Sequence, residues 1–311
     1  MANIICGVDV SLKTLDGRIS GSGLELSVRR DPEGIAKLAA FCVEHGVELV
    51  VMEATGGYEK LPFGLLWEAG VPCAIANARS VRRFAEAMGV LEKTDRLDAG
   101  IIADYARAKG LAAQSPESRI QERLRALVTR LRQLTQLKVA QSNQRRLVQE
   151  PEVLAAIDEM LALIGRQSRA LELQIADLLG ADPLWRALDA ALREIKGVAG
   201  RTVARLMAEM PEIGTLSNKA VAKLAGLAPI ARDSGQRQGK RPIRGGRAHV
   251  RSILVVIAGV VARHDPDLAA FHQRLSLAGK PKMAVRVAVA RKLLVRLNAK
   301  ARDARAAFVP A

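Results

Sequence analysis

Asp95 and Asp98 stand three residues apart in the stretch Glu92-Lys93-Thr94-Asp95-Arg96-Leu97-Asp98-Ala99. Thr94 is a helix-capping residue type, and the apolar residues behind it, Leu97, Ile101, Ile102 and Tyr105, recur at helical spacing. The two carboxylates are therefore expected to open a helix and to share one face of it. Ionised carboxylates only accept hydrogen bonds and repel one another, so a structural pair needs basic partners or serves the helix dipole as an ordinary acidic first turn. The chemical use of such a pair is a hard-cation site. Mg2+ is usually held by one or two carboxylates together with water and substrate phosphate, so further acids have to come from elsewhere in the chain.

Two others stand in suitable places. Ile4-Ile5-Cys6-Gly7-Val8-Asp9-Val10-Ser11 is a short apolar run broken by a single acid, the pattern of a central strand carrying a site residue. A buried carboxylate is costly without a base or a cation, so Asp9 needs one or the other. Val47 to Ala54 repeats the pattern, ending in Glu53 just before the Thr55-Gly56-Gly57 turn. Ligands gather at strand ends in mixed α/β sheets, so Asp9, Glu53, Asp95 and Asp98 are candidates for one site.

The elements that must hold them follow from turn and period signals. Asp16-Gly17 is read as a turn, with Leu24 to Val28 as the returning strand. Asp31-Pro32 starts a helix ending at Gly46; a helix from Leu61 to Ala69, a strand from Pro72 to Ala76 and a basic segment with Arg79, Arg82 and Arg83 complete an α/β domain over residues 1–110. From Pro116 to Glu150, Ile120, Leu124, Leu127, Leu131 and Leu134 step by four and three. A second such helix runs from Pro151 to Gly180, so residues 111–181 are expected to be a helical coiled-coil linker, either a hairpin or an intermolecular pair.

Residues 182–311 are expected to be all-α. Ile195 to Ala204 places a glycine turn between two helices, resembling a helix-hairpin-helix phosphate-binding element. Ser234 then lies in the most basic stretch, with Arg232 before it and Lys240, Arg241, Arg244 and Arg247 after it. A loop hydroxyl there can donate to a phosphate or attack one. Helices from Val250 to Arg263, Leu268 to Leu277 and Met283 to Lys300 close the domain.

The 48 Lys and Arg against 32 Asp and Glu leave a formal charge of +16, which calls for a polyanionic partner, with nucleic acid the leading class. Aromatic residues make up only 3% of the chain, which disfavours a base-stacking surface and favours recognition through phosphates and shape. The longest apolar run, Ile253 to Ala262, is half a membrane span, and no charged leader precedes the first strand, so a cytoplasmic protein is expected. Cys6, Cys42 and Cys73 are read as reduced core residues, and the four histidines show no ligand spacing.

Taken in order, Gly7-Val8-Asp9-Val10-Ser11, Glu53-Ala54-Thr55-Gly56 and Lys93-Thr94-Asp95 with Asp98-Ala99 resemble the DEDD transposases of the IS110 insertion-sequence family, also called bridge-RNA-guided recombinases. Gly226-Leu227-Ala228-Pro229, Asp233-Ser234-Gly235 and Gly239-Lys240-Arg241 with Gly245-Gly246-Arg247 continue the likeness over nearly the whole chain. Val255, where many relatives have Tyr, and residues 306–311 depart from it. The resemblance implies a RuvC-like domain of ribonuclease H fold over 1–110, with Asp9, Glu53, Asp95 and Asp98 holding Mg2+, and a C-terminal transposase domain in which Ser234 is the catalytic serine. It also implies donor and target DNA as substrates, a noncoding bridge RNA as guide, and a homo-oligomer, dimer or tetramer.

The chemistry is coherent. A serine hydroxyl is a weak nucleophile and Ser234 has no neighbouring histidine, whereas the acids have no nucleophile, so each half needs what the other supplies. Two other readings use the same residues: a RuvC-like junction nuclease that hydrolyses DNA without a covalent intermediate, and a non-enzymatic DNA-binding protein whose acids serve folding.

Overall fold

The computed structural model describes residues 4–90, 95–231, 234, 239 and 241–308, with the backbone alone for 95–97. It divides into two units, residues 1–117 and 118–311.

The first unit is built on strands β1 (Ile5–Val10), β2 (Thr14–Ile19), β3 (Glu25–Arg29), β4 (Leu49–Glu53) and β5 (Cys73–Ala76), in the spatial order β3-β2-β1-β4-β5. The first three are antiparallel, and β4 and β5 run parallel to β1. This is the strand order and direction pattern of the ribonuclease H fold.

Alternation along β1 decides what each face carries. Cys6, Val8 and Val10 join Leu15, Leu38 and Phe63 beneath α1 (Pro32–Glu44) and α2 (Lys60–Glu68). Ile5, with Leu49 and Val51 of β4, joins Val81 of α3 (Ala78–Ala87) and Ile102 and Ala103 of α4 (Asp95–Lys109) on the opposite face. Burial on both faces is why these strands appear in the sequence as unbroken apolar runs. Asp31 caps α1 by accepting a hydrogen bond from the Gly34 amide at 2.8 Å, and Pro32 fills its first turn, as the sequence leads one to expect. All three cysteines are free and buried in this unit, and burial pushes the Cys73 thiol up to about 12, which suits an inert core thiol at that position.

One expected turn is absent. Asp16 and Gly17 lie inside β2, paired with Asp9 and Val8 of β1, and the chain reverses at residues 20–23, where Gly21 and Gly23 have positive φ. Gly17 is used for packing: a Cβ there would stand 3.3 Å from the Leu38 side chain.

The second unit is helical. Helices α5 (Arg119–Arg145) and α6 (Pro151–Ala181) pack along each other as an antiparallel hairpin within one chain. The seam starts at Leu124, since Ile120 is 46% exposed. Leu124, Val128, Leu131, Ile175 and Leu179 share a core with α7 (Pro183–Arg193), α8 (Gly200–Glu209), α10 (Ala248–His264) and α12 (Lys282–Ala307), so the base of the hairpin belongs to this unit. Residues 111–117 close the first unit, where the Gln114 amide bonds to the Cys73 carbonyl at 2.8 Å. Two more helices, α9 (Asn218–Leu224) and α11 (Pro266–Leu277), complete the fold. Fully buried Asn298 ties α12 to the loop before α9, accepting from the Gly214 amide at 2.9 Å and donating to the Leu216 carbonyl at 3.0 Å. Among the described residues no helix is long and apolar enough to cross a membrane.

Candidate active site

Asp9, Glu53 and Asp98 line one cleft of about 800 Å³ in the first unit. Strand parity explains the first two. Asp9 is two residues beyond Gly7 on β1 and Glu53 two beyond Val51 on β4, so both point to the face covered by α3 and α4. The parallel register pairs Val8 with Met52, and one further step along it brings Asp9 level with Glu53. The turn after β4 is fastened by Glu59, whose carboxylate accepts from the Thr55 and Gly57 amides at 3.0 and 2.8 Å, while the Thr55 hydroxyl donates to the Glu53 carbonyl at 3.0 Å. That arrangement holds Glu53 at the strand's end.

Asp98 is delivered by α4, which begins at Asp95 as its sequence pattern indicates. Asp98 precedes Ala99, and Ala99, Ile102, Ala103 and Ala106 are buried. Gly7 lets this helix lie directly on β1: a Cβ on it would be 2.0 Å from the Ala99 carbonyl oxygen and 2.7 Å from the Ala103 amide nitrogen. Thr94 and the side chain of Asp95 lie outside the described residues. The donors are all carboxylate oxygens, the set a hard divalent cation takes. Among the described residues no three His, Cys, Asp or Glu side chains are grouped closely enough to hold a metal ion by themselves. Mg2+ does not require such a group, because it binds through one or two carboxylates and keeps water and phosphate in its other positions.

The same cleft contains Arg79, Arg82 and Arg83 of α3. Asn77 starts that helix by capping the Ser80 amide, and Val81 and Ala85 bury its inner side. In the sequence these arginines are a basic segment without a stated role; the structure brings them beside the acids. Asp16 carries no site signal in the sequence, although the register sets it directly opposite Asp9. Its sequence neighbourhood has the chemistry of a turn, and only strand pairing reveals the juxtaposition.

Ser234 is exposed, in the second unit. Its loop is closed at the base by a bridge between Pro229 and Ile243, with the Ile230 amide donating to the Pro242 carbonyl at 3.0 Å. Below that bridge two glycine segments meet backbone to backbone. Gly226 and Gly246 both have positive φ, and a Cβ on Gly246 would be 2.3 Å from the Gly226 nitrogen. Of the basic residues expected to contact nucleic acid, Arg232 and Lys240 lie outside the described residues, and Arg244 is exposed. Arg247 is engaged internally: its guanidinium forks onto both Glu212 oxygens at 2.6 Å and bonds to the Glu209 carbonyl at 2.8 Å.

This fork has a pH signature. Burial pushes the Glu212 carboxyl up, but the hydrogen bonds from Arg247 and from the Glu212 backbone, together with the charges of Arg247 and Arg125, outweigh it and hold the group below its ordinary value of 4.5. A depressed carboxylate contributes stability that is complete above the ordinary value and is lost as pH falls through the folded-state value. The thermal midpoint of the native protein should therefore fall toward that of Glu212→Gln as pH is lowered from about 6 to about 3. A midpoint difference that stays constant over this range would exclude the fork as a source of stability.

Residues 6–148 match a DEDD transposase model of the IS110 group, described as Transposase, and residues 189–273 match the model described as Transposase IS116/IS110/IS902 family. The chain is 25% identical to the Pilin gene-inverting proteins of Moraxella lacunata and Moraxella bovis, over 94% of its own length and 94% of theirs. It is 23% identical to an insertion element IS110 uncharacterized 43.6 kDa protein of Streptomyces coelicolor, over 96% of this chain and 94% of that one. A Thermus thermophilus RuvC structure aligns with 35% of this chain and 98% of its own, at 15% identity and a TM-score of 0.25. Two family matches in the expected order, covering well over half of the residues, show that this chain belongs to the IS110 family of transposases.

Proposed function

We propose that this transposase cuts and rejoins donor and target DNA through a phosphoserine at Ser234, with Mg2+ held by Asp9, Glu53, Asp95 and Asp98. The family makes it a DNA-recombining enzyme. The observation that carries the site assignment is the convergence of Asp9, Glu53 and Asp98, from two strands and a helix, on one cleft. The resemblance to DEDD transposases supports a divalent cation, and the carboxylates of the cleft are the donors one takes. An ion bound there would neutralise charge on the scissile phosphate and acidify an oxygen it holds. Arg79 and Arg83 bind the flanking phosphates, keeping the strand against the acids.

In the proposed step the Ser234 Oγ–P bond forms as the P–O bond to the leaving deoxyribose oxygen breaks. The proton lost by the serine balances the one gained by that oxygen. Attack by a hydroxyl of a second strand reverses the step and frees the serine, so the phosphodiester's energy is conserved and no ATP is needed. The resemblance to bridge-RNA-guided recombinases supports a noncoding RNA as guide, and the +16 charge accommodates both nucleic acids. Oligomerisation is supported by apolar residues exposed toward the tip of the α5–α6 hairpin, where Leu147 is 85% and Met160 48% exposed.

Because the acids and the serine come from different parts of the chain, the reading includes a composite site, assembled across subunits. Mixing an Asp9→Ala protein with a Ser234→Ala protein, under conditions that exchange subunits, should restore cleavage and a serine-linked DNA adduct. Verified mixed oligomers that yield neither would exclude the cross-subunit site. Free DNA ends with no adduct from the native protein would favour a hydrolytic junction nuclease instead.

A further inference from the structure

A second cavity, of about 740 Å³, opens in the C-terminal unit between α10, α11 and α12, and its rim is cationic: Arg263, Lys280, Lys282 and Arg286 line it, with His272 and no carboxylate. Elsewhere in this unit several cations have acid partners. Arg296 pairs with Asp265, Arg193 with Asp189 and Lys300 with Glu194. Among the described residues, none of the four rim cations is within ion-pair distance of a carboxylate. Four like charges gathered around one concavity repel each other, and an anion seated among them would offset that cost.

The backbone favours the same occupant. Lys282 is the first residue of α12, a 26-residue helix whose N-terminus has no side-chain cap and no acid in its first turn. Its leading amides have no carbonyl within the helix to bond to, and they carry the positive end of the helix dipole. On the opposite wall, Gly259 makes room for Arg286: a Cβ there would stand 2.7 Å from the guanidinium Nη2. Ala258, Ala262 and Met283 add apolar lining, which leaves the anion to be recognised by the cations.

We infer that this cavity is a phosphodiester-backbone site, holding a segment of nucleic acid at a place in the C-terminal unit separate from the Ser234 loop. The inference rests on the nucleic-acid reading only for the identity of the anion, and its test is free of strand chemistry. The full chain carrying Arg263→Gln, Lys282→Gln and Arg286→Gln is compared, in EDTA, with a control carrying Arg166→Gln, Arg169→Gln and Arg186→Gln, three exposed cations of α6 and α7. Affinity for a DNA duplex and for an RNA hairpin of equal length is measured across a salt series. Each lost phosphate contact should flatten the slope of log affinity against log salt by about 0.9 on the duplex and somewhat less on single strands. The cavity variant is expected to lose about two contacts and at least ~10-fold in affinity at low salt, well beyond the control. Loss on the DNA arm assigns the site to DNA, loss on the RNA arm assigns it to RNA, and loss on both assigns a backbone site shared by the two. A loss no larger than the control on both arms overturns the proposal. Acylation footprinting of the native protein gives an independent reading that needs no variant: Lys280 and Lys282 should be shielded when nucleic acid is bound. Full reactivity of both while other lysines are protected also overturns it.

Discussion

Replacing Asp98 by alanine is expected to lower divalent-metal-dependent strand cleavage by more than ~100-fold, the upper range for loss of a group one shell further from a metal. The protein should remain folded. Asp98 is half-buried at the start of α4, where the structural work is done by Ala99, Ile102 and Ala103, and alanine is itself the best helix former. Asp9→Ala should behave alike, since Asp9 lies on the same cleft from β1. The measurement is cleavage against Mg2+ concentration, with a thermal melt of each variant alongside. Cleavage at the native rate in either variant would remove that acid from the site.

Gly7→Ala should be nearly as damaging, although it alters no charged group. Its new Cβ would fall 2.0 Å from the Ala99 carbonyl oxygen, less than two atoms can approach, so α4 has to retreat by more than ~1 Å or β1 has to distort. A displacement of that size at a catalytic group costs on the order of 100-fold in rate, and overpacking of this kind destabilises by about 1–3 kcal/mol. Gly64 provides the control. It lies in α2, and a Cβ there meets nothing within 4 Å, so Gly64→Ala should leave cleavage unchanged and stability equal or higher. If Gly7→Ala cuts DNA as fast as Gly64→Ala, the direct seating of α4 on β1 is not what positions Asp98.

Much of the first unit is legible along the chain because its signals are local. The apolar runs of β1 and β4, the Asp31-Pro32 start of α1 and the helical spacing behind Asp95 each need only a few neighbouring residues to be read. Asp16-Gly17 misleads for the same reason. Its turn chemistry is genuine, but pairing with both β1 and β3 outweighs it, and the reversal moves to the glycines at 21 and 23. Ile120 shows the corresponding limit in the helices: it keeps the step of the seam, yet the seam begins one turn later.

Residue type and local spacing are enough to read the inventory of the site. Four acids in strand-end and helix-start settings, one serine among cations, and paired glycine motifs can be recognised from residue type and spacing, since those properties belong to short segments. Which of them meet depends on the packing of distant elements. Strand parity and register turned Asp9 and Glu53 toward the same face, the bare backbone of Gly7 admitted α4 and with it Asp98, and helix packing drew the α3 arginines into the cleft. Packing also turned Arg247 inward, because its partner Glu212 lies 35 residues away and nothing local announces the pair. Contacts between distant segments depend on how whole elements pack, and packing is a property of the assembled fold rather than of any single stretch of chain.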